Sequence, residues 1–273
     1  SLRRQRQMCI RDRLYDIIFD GKNKWMLSAN GTIFTYEFEA IIPGLLKRWY
    51  AERQEMQRKM NDCGDNEIER AYWDKRQLVK KINLNSLYGA ILNPGCRFFD
   101  IRIGQSVTLT GRCITKHMAS KVNEIVAGKY DHEGQSIIYG DTDSVYFSAH
   151  KPLTKEIETG QIAWNKESVI SLYDKIAEEM NTTFTSFMTK AFHCPHTRGS
   201  VIKAGRELVA SKGLFITKKR YAVLYYDVEG ERVDNAGKEG KVKAMGLDLK
   251  RSDTPVFVQD FLSDILYLSL IHI

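Results

Sequence analysis

Between Leu14 and Tyr36 the apolar residues come in short runs interrupted at Asn30-Gly31, so FDGKNKWMLSANGTIFTY reads as strand, tight turn, strand. From Pro43 the period changes. Leu45, Trp49, Arg53, Met56 and Met60 recur at helical spacing, and Pro43 stands where a helix can begin. NDCGDN at 61–66 ends that pattern, and Asn66 with Glu69 has the form of a capping box opening a second helix. Ile68, Ala71, Tyr72, Val79 and Ile82 continue it. Residues 43–92 are therefore expected to form an antiparallel helical hairpin with its tip near Gly64.

Farther along, Ile114, Met118, Val122 and Ile125 share one helical face and predict a helix over about 105–127. IIYGDTDSVYFS (137–148) places two acidic residues between β-rich runs and predicts a hairpin. A helix over roughly 165–192, strands at 207–216 and 220–228, and a helix starting at Asp253-Thr254-Pro255 complete the pattern. Helices mix with antiparallel strands without a βαβ rhythm, so the fold class is α+β.

Composition changes this picture little. The chain has 273 residues, ample for a sizeable core, with an ordinary 43% apolar and 27% charged content. Its net charge is +7, but residues 1–13 hold five Arg and one Asp and so carry +4 of it, leaving only +3 elsewhere. Both ends look foreign: the opening MCIRDR and the closing LSLIHI resemble translated adapter sequence, so 1–13 and 267–273 are set aside and the chain is read as an internal piece of a longer gene. No run of eighteen apolar residues spans a membrane, and no secretory signal opens the chain. The five Cys form no CxxC, and an isolated His193-Cys194-Pro195-His196 reads as a loop rather than a zinc site. A reducing, cytoplasmic setting follows.

Two constellations carry chemistry. In Tyr139-Gly140-Asp141-Thr142-Asp143-Ser144 a turn crowds two carboxylates at a sheet end. Like charges held close call for a cation, and carboxylate oxygens suit Mg²⁺. An acidic β-turn with no ligand is the plain alternative, since Asp and Thr both favour turns. Second, Lys81, Asn85 and Tyr88 stand at i, i+4 and i+7 and form one helical stripe of cation, amide and ring. That set could grip a triphosphate and a base pair, or it could be the solvated face of an amphipathic helix. Counted from Gly64, Arg53 and Lys81 lie roughly 16 and 25 Å from the hairpin tip, an offset of about 9 Å that two long cations and a triphosphate could bridge.

The strings KINLNSLYG (81–89) and YGDTDS (139–144), in that order, resemble the second and third polymerase motifs of family B DNA polymerases. NPGCRFFDIR (93–102), SKGLFITKKRY (211–221) and KAMGLDLKRSDTP (243–255) look most like the replicative enzymes of T-even-like phages within that family, although the link between the two helices is shorter here. The resemblance covers about residues 26–262.

The resemblance implies an antiparallel-sheet palm with a two-helix fingers hairpin: palm-edge strands at 14–42, fingers at 43–92, palm at 93–254 and the start of a thumb at 255–266. It implies a DNA-directed DNA polymerase that adds dNTPs to a primer 3′-hydroxyl with two Mg²⁺ ions, Mn²⁺ being the usual substitute. Asp143 then ligates both metals, Asp141 is the outer carboxylate, and Glu207 is an additional acidic residue near them. Lys81 and Arg53 bind the triphosphate, Asn85 lies beside it, and Tyr88 packs under the nascent base pair. A second fingers cation is replaced here by Gln57, with Arg58 and Lys59 as the nearby stand-ins. Lys219, Arg220 and Tyr221 match a KKRY element that contacts primer–template; strand alternation puts Lys219 and Tyr221 on one face and Arg220 on the other, and Lys243 is a further DNA-backbone candidate. A sliding clamp is an expected partner of the parent enzyme, which would work in the bacterial host cytoplasm if phage-encoded. The family's first motif, an Asp followed by SLYPS, is not in this sequence, so the chain alone is expected to be inactive. A protein-primed family B polymerase and an inactive DNA-binding relative are the competing readings. The first predicts insertions flanking the palm motifs, and the second predicts lost carboxylates.

Overall fold

A computed structural model describes residues 18–19, 24–234 and 239–272. The segment 1–13 set aside above lies outside the described residues, as does the beginning of the first expected strand. The chain divides into two compact units: one holds the described residues up to Thr110 together with Lys190–Pro195, and the other holds Gly111–Thr189 and the chain from His196 onward.

In the first unit, β1 (Trp25–Leu27) and β2 (Ile33–Thr35) pair antiparallel. The link is wider than a two-residue turn, running from Ser28 to Thr32 with Gly31 at φ +86°. Asn30 is pinned at this loop, donating to the Arg102 carbonyl at 3.1 Å and accepting from the Ser106 hydroxyl at 2.9 Å.

Helices α1 (Ile41–Asp62) and α2 (Glu67–Ile91) follow. Gly64, at φ +52°, lets the chain reverse between them. The Asn66 side chain accepts from the Glu69 N–H, so the expected cap forms, but the Glu69 carboxylate meets the Asn66 side-chain amide while the Asn66 backbone N–H donates to the Cys63 carbonyl. Arg53 meets Gln77, Glu52 meets Lys80, and Lys59 lies over the Trp73 ring. The numbers fall along one helix as they rise along the other, so the helices are antiparallel. The face that contacts α1 is not the apolar stripe marked by periodicity. Ile68, Val79 and Ile82 are 86%, 55% and 54% exposed. Long polar and aromatic side chains, among them Arg53, Gln77, Glu52, Lys80, Lys59 and Trp73, meet across the pair.

Helix α3 (Ile101–Ala127) begins four residues earlier than expected, opened by Asp100, whose carboxylate accepts from the Arg102 N–H. A Cβ on Gly104 would come within 1.9 Å of the Leu92 side chain, so glycine permits the close approach between the start of α3 and the end of α2.

The second unit contains the sheets. β3 (Ile137–Asp141) and β4 (Ser144–Phe147) form an antiparallel hairpin. A short helix α4 (Thr154–Glu158), the long α5 (Lys166–Phe192) and the single turn α6 (His196–Gly199) lead to a second sheet. There β6 (Arg220–Val228) lies between β5 (Leu208–Thr217) and β8 (Lys241–Met245), with a two-residue β7 (Glu231–Arg232) beside its end. The β5–β6 register slips at Tyr226 and again at Ser211, bulges of the kind that re-aim side chains. Ala222 and Leu224 accordingly pack on α7 (Val256–His272) through Leu270, whereas Tyr226 packs with Val209 on Val169 of α5. Helix α7 starts directly after Pro255 and runs through 267–272, which had been set aside.

A separate apolar core joins Val122 and Val126 of α3 to Ala149 and to Ile176, Met180 and Phe184 of α5. His117 is buried beside it. Its ring stacks on Phe187 at 4.0 Å, and both ring nitrogens meet hydroxyls, those of Tyr130 and Thr183.

Candidate active site

Asp141 ends β3, Ser144 starts β4, and the pair is joined by Thr142 and Asp143 alone. A two-residue hairpin loop of this kind needs a left-handed first residue, usually glycine. Here it is Thr142, at φ +47°. A β-branched residue is disfavoured in that region, so the turn has to be held from outside. Thr115 of α3 does so, its hydroxyl donating to the Thr142 carbonyl at 2.7 Å.

The two carboxylates differ in their partners. Asp141 faces the Lys219 ammonium at 3.7 Å. Asp143 is exposed and makes no hydrogen bond or ion pair with any described residue. It borders a cavity of about 600 Å³ that is also lined by Thr115, Lys203, Arg206 and Glu207.

Glu207 precedes β5, and its carboxylate is taken up by Lys243 of β8 at 2.6 Å. Among the described residues, no three His, Cys, Asp or Glu side chains gather into a metal-binding group, so Asp141, Asp143 and Glu207 do not converge. Glu207 and Lys243, expected to act separately on metal and DNA, are thus each other's partner.

The KKRY element also differs from the alternation argument. Lys219 is not in the strand but in the β5–β6 turn, at φ +62°, so strand alternation does not govern it. Tyr221 is 6% exposed, and its hydroxyl meets that of Tyr146 at 3.2 Å. Tyr139, Tyr146, Phe215 and Tyr221 form one aromatic cluster joining the two hairpins. Burial, then the bond to Tyr221, pushes the Tyr146 hydroxyl well above its ordinary pKa. Arg220 stays exposed.

Sequence reasoning missed a second electrostatic cluster behind the sheet. Arg206 bridges Asp174 of α5 and Asp227 of β6. Burial opposes its charge, but the bonds to the two carboxylates outweigh it and hold the guanidinium above its usual pKa. Arg232 and Lys166 likewise enclose Asp234, holding its carboxyl far below the ordinary range. Runs of charge along a chain carry no sign of the Arg206 and Lys166 pairings, because those partners come from distant segments.

The first unit presents its own candidates on α2. Lys81 and Asn85 are exposed, and their side chains make no hydrogen bond or ion pair with a described residue. Tyr88 is half-buried, its hydroxyl donating to the Gly104 carbonyl at 3.3 Å. Arg53 of α1 donates to Gln77, which lies four residues, or about 6 Å, from Lys81 along α2. The offset is about two-thirds of that counted from the tip. Arg58 pairs with Glu55, and Lys59 rests near Glu55 and Trp73, so both stand-ins for Gln57 have local partners.

The model of DNA polymerase family B matches residues 19–272, nearly the whole chain. The chain belongs to the family B DNA polymerases. It is 33% identical over 198 residues to the DNA-directed DNA polymerase of Escherichia phage RB69 and 30% identical over 204 residues to that of Enterobacteria phage T4, each time over 69% of this chain and 21% of the relative. A DNA polymerase of Pyrococcus glycovorans is 26% identical over 260 residues, 95% of this chain and 26% of that protein. The chain thus spans about a fifth to a quarter of the length of these relatives. No helix among the described residues of this family B chain is long and apolar enough to cross a membrane.

Proposed function

We propose that this chain is the fingers and most of the palm of a DNA-directed DNA polymerase that extends a primer 3′-hydroxyl with dNTPs. The observation that carries the reading is the contrast at the 141–144 turn. Asp141, Glu207, Asp174, Asp227 and Asp234 all share ion pairs, while Asp143 stands open on a strained turn at the rim of a cavity. Its oxygens are hard donors of the kind Mg²⁺ takes, so the residues present fit part of a divalent-metal site, with Asp143 as principal ligand and Asp141 as the outer one. When bound, a metal pair supplies charge for the attacking and leaving oxygens of the transferred phosphate.

The protein's own groups do the rest. Lys219 offsets part of the charge on Asp141 and reaches primer–template together with Arg220, while Tyr221 supports that turn from inside the aromatic cluster rather than touching DNA. Lys81, with no competing carboxylate, is free to meet a triphosphate, Arg53 adds a second cation, and Asn85 lies in line between Lys81 and Tyr88. The aromatic floor under the new base pair is Tyr88, steadied by the Gly104 carbonyl.

The cavity supports a missing piece. Thr142–Ser148 and Lys203–Gly213 line it as unbroken runs. Of these residues, Ser144–Phe147 lie on β4 and Leu208–Gly213 on β5. Among the described residues, β4 pairs only with β3, and β5 only with β6. The gap between two open edges suits one more strand, which we propose the parent's first motif supplies with its carboxylate. The chain alone is then expected to incorporate no dNTP, and template-dependent incorporation by it would count against this part of the reading. The main test is Mg²⁺-dependent primer extension by the complete parent polypeptide. Asp143→Ala should abolish extension with DNA binding retained, a loss of about three orders of magnitude if several kcal/mol of charge stabilisation goes. Normal extension by that variant refutes the assignment.

A further inference from the structure

Two non-glycine residues at the site adopt left-handed backbone, Thr142 and Lys219. Thr115 restrains the first. The second has its own restraint, and it comes from the strand that carries Asp141. The Lys219 N–H donates to the Tyr139 hydroxyl at 2.8 Å. Tyr139 cannot swing freely, since its ring lies 6.2 Å from Tyr146, 5.9 Å from Phe215 and 5.6 Å from Tyr221. On the other side of the same turn, Gly246 sits at φ +64°, and a Cβ there would fall 2.1 Å from the Lys219 carbonyl oxygen. The Lys219 backbone is therefore fixed at its N–H by a hydroxyl and at its carbonyl by a passing glycine. Its side chain leaves the turn toward Asp141, ending 3.7 Å from that carboxylate.

Tyr139 and Asp141 are two residues apart on β3 and so point to the same face. One strand thus presents both a carboxylate and the hydroxyl that holds the carboxylate's counter-ion. We propose that Tyr139 is a positioning residue for Lys219: through the Lys219 backbone it sets where the ammonium stands relative to Asp141 and primer–template. The geometry is independent of the polymerase reading, but the assay below rests on it.

The test is a double-mutant cycle in the complete parent polypeptide, read as primer–template Kd and as the Mg²⁺ concentration giving half-maximal extension. Tyr139→Phe keeps the ring and removes only the hydroxyl. It should weaken primer–template binding roughly three- to tenfold, the span that one net hydrogen bond covers, and should shift the Mg²⁺ dependence in the same direction as Lys219→Ala. In the Lys219→Ala background, Tyr139→Phe should add less than about twofold, because the two act through one group. Gly246→Ala, which crowds the turn from the opposite side, should show the same dependence on Lys219. Equal losses with and without Lys219, or no loss from Tyr139→Phe in the wild-type background, would overturn the proposal. Asp143→Ala, run alongside, separates the two failures. If it extends primer normally the active-site assignment falls, while the Kd cycle still decides the role of Tyr139.

Discussion

The α1–α2 pair and the sheet unit differ in how much apolar side chain they enclose, and the difference predicts which part opens more readily. No side chain of α1 is buried, and on α2 only Ile91 is. Between them Arg53 meets Gln77, Lys80 meets Glu52, and cations lie over the Trp49 and Trp73 rings. Exposed pairs of this kind contribute little and are screened by salt. The sheet unit instead encloses Phe184, Met180, Leu224 and Val223 almost completely, and it buries an Arg–Asp pair. Low-energy opening belongs to segments with few buried apolar contacts. Amide exchange along α2 should therefore run well ahead of exchange along β6.

The largest effects are expected in the sheet unit. Asp227 is 1% exposed and holds Arg206, so Asp227→Ala leaves a buried guanidinium with one partner fewer and should cost about 3–5 kcal/mol in urea unfolding. Phe184→Ala, from the centre of the apolar core, should cost a similar 3–5 kcal/mol. A loss below about 1 kcal/mol from both would mean that this unit is no more rigid than the helix pair, and the contrast would disappear.

On the helix pair the larger consequence should be functional. Lys81→Ala removes a charge with no structural partner, so stability should hold while KM for dNTP in the parent enzyme rises about tenfold, in line with a charge-assisted hydrogen bond of about 1.5–3 kcal/mol. An unchanged KM would remove Lys81 from the site. Asn66→Ala strips the α2 cap and should cost about 1 kcal/mol, visible as faster exchange at the first turn of α2.

Much of this was legible in the sequence. The helix cap at Asn66, the hairpin around Asp141 and Asp143, and the strand at 220–228 follow from local chemistry that has one outcome. What failed to show was always a matter of direction or of distant partners. Periodicity grouped Ile68, Val79 and Ile82 on one face but could not say whether that face meets α1. Alternation assigned Lys219 to a strand face because nothing local marks it as left-handed; that depends on Tyr139, 80 residues away, and on Gly246. Nothing in the sequence around Arg206 marks its partners, because Asp174 and Asp227 come to it from two other elements. The buried His117 gave no signal for the same reason.

The smallest expected effect is the sharpest test of how the helix pair is built. Val79 and Ile82 lie on α2 with more than half their surface open, away from the residues that meet α1. Replacing either with Gln exchanges one good or moderate helix former for another, and it uncovers nothing that was covered. Each change should stay within about 0.5 kcal/mol of wild type, the range of surface substitutions that touch no special feature. Exchange at Gln77 and Lys80 should be unaltered in both variants. If Ile82→Gln instead loosened α2 by more than about 1 kcal/mol, the apolar stripe would be carrying packing energy. The helix pair would then owe its order to apolar contact, as the sheet unit does, and its polar contacts with α1 would be secondary.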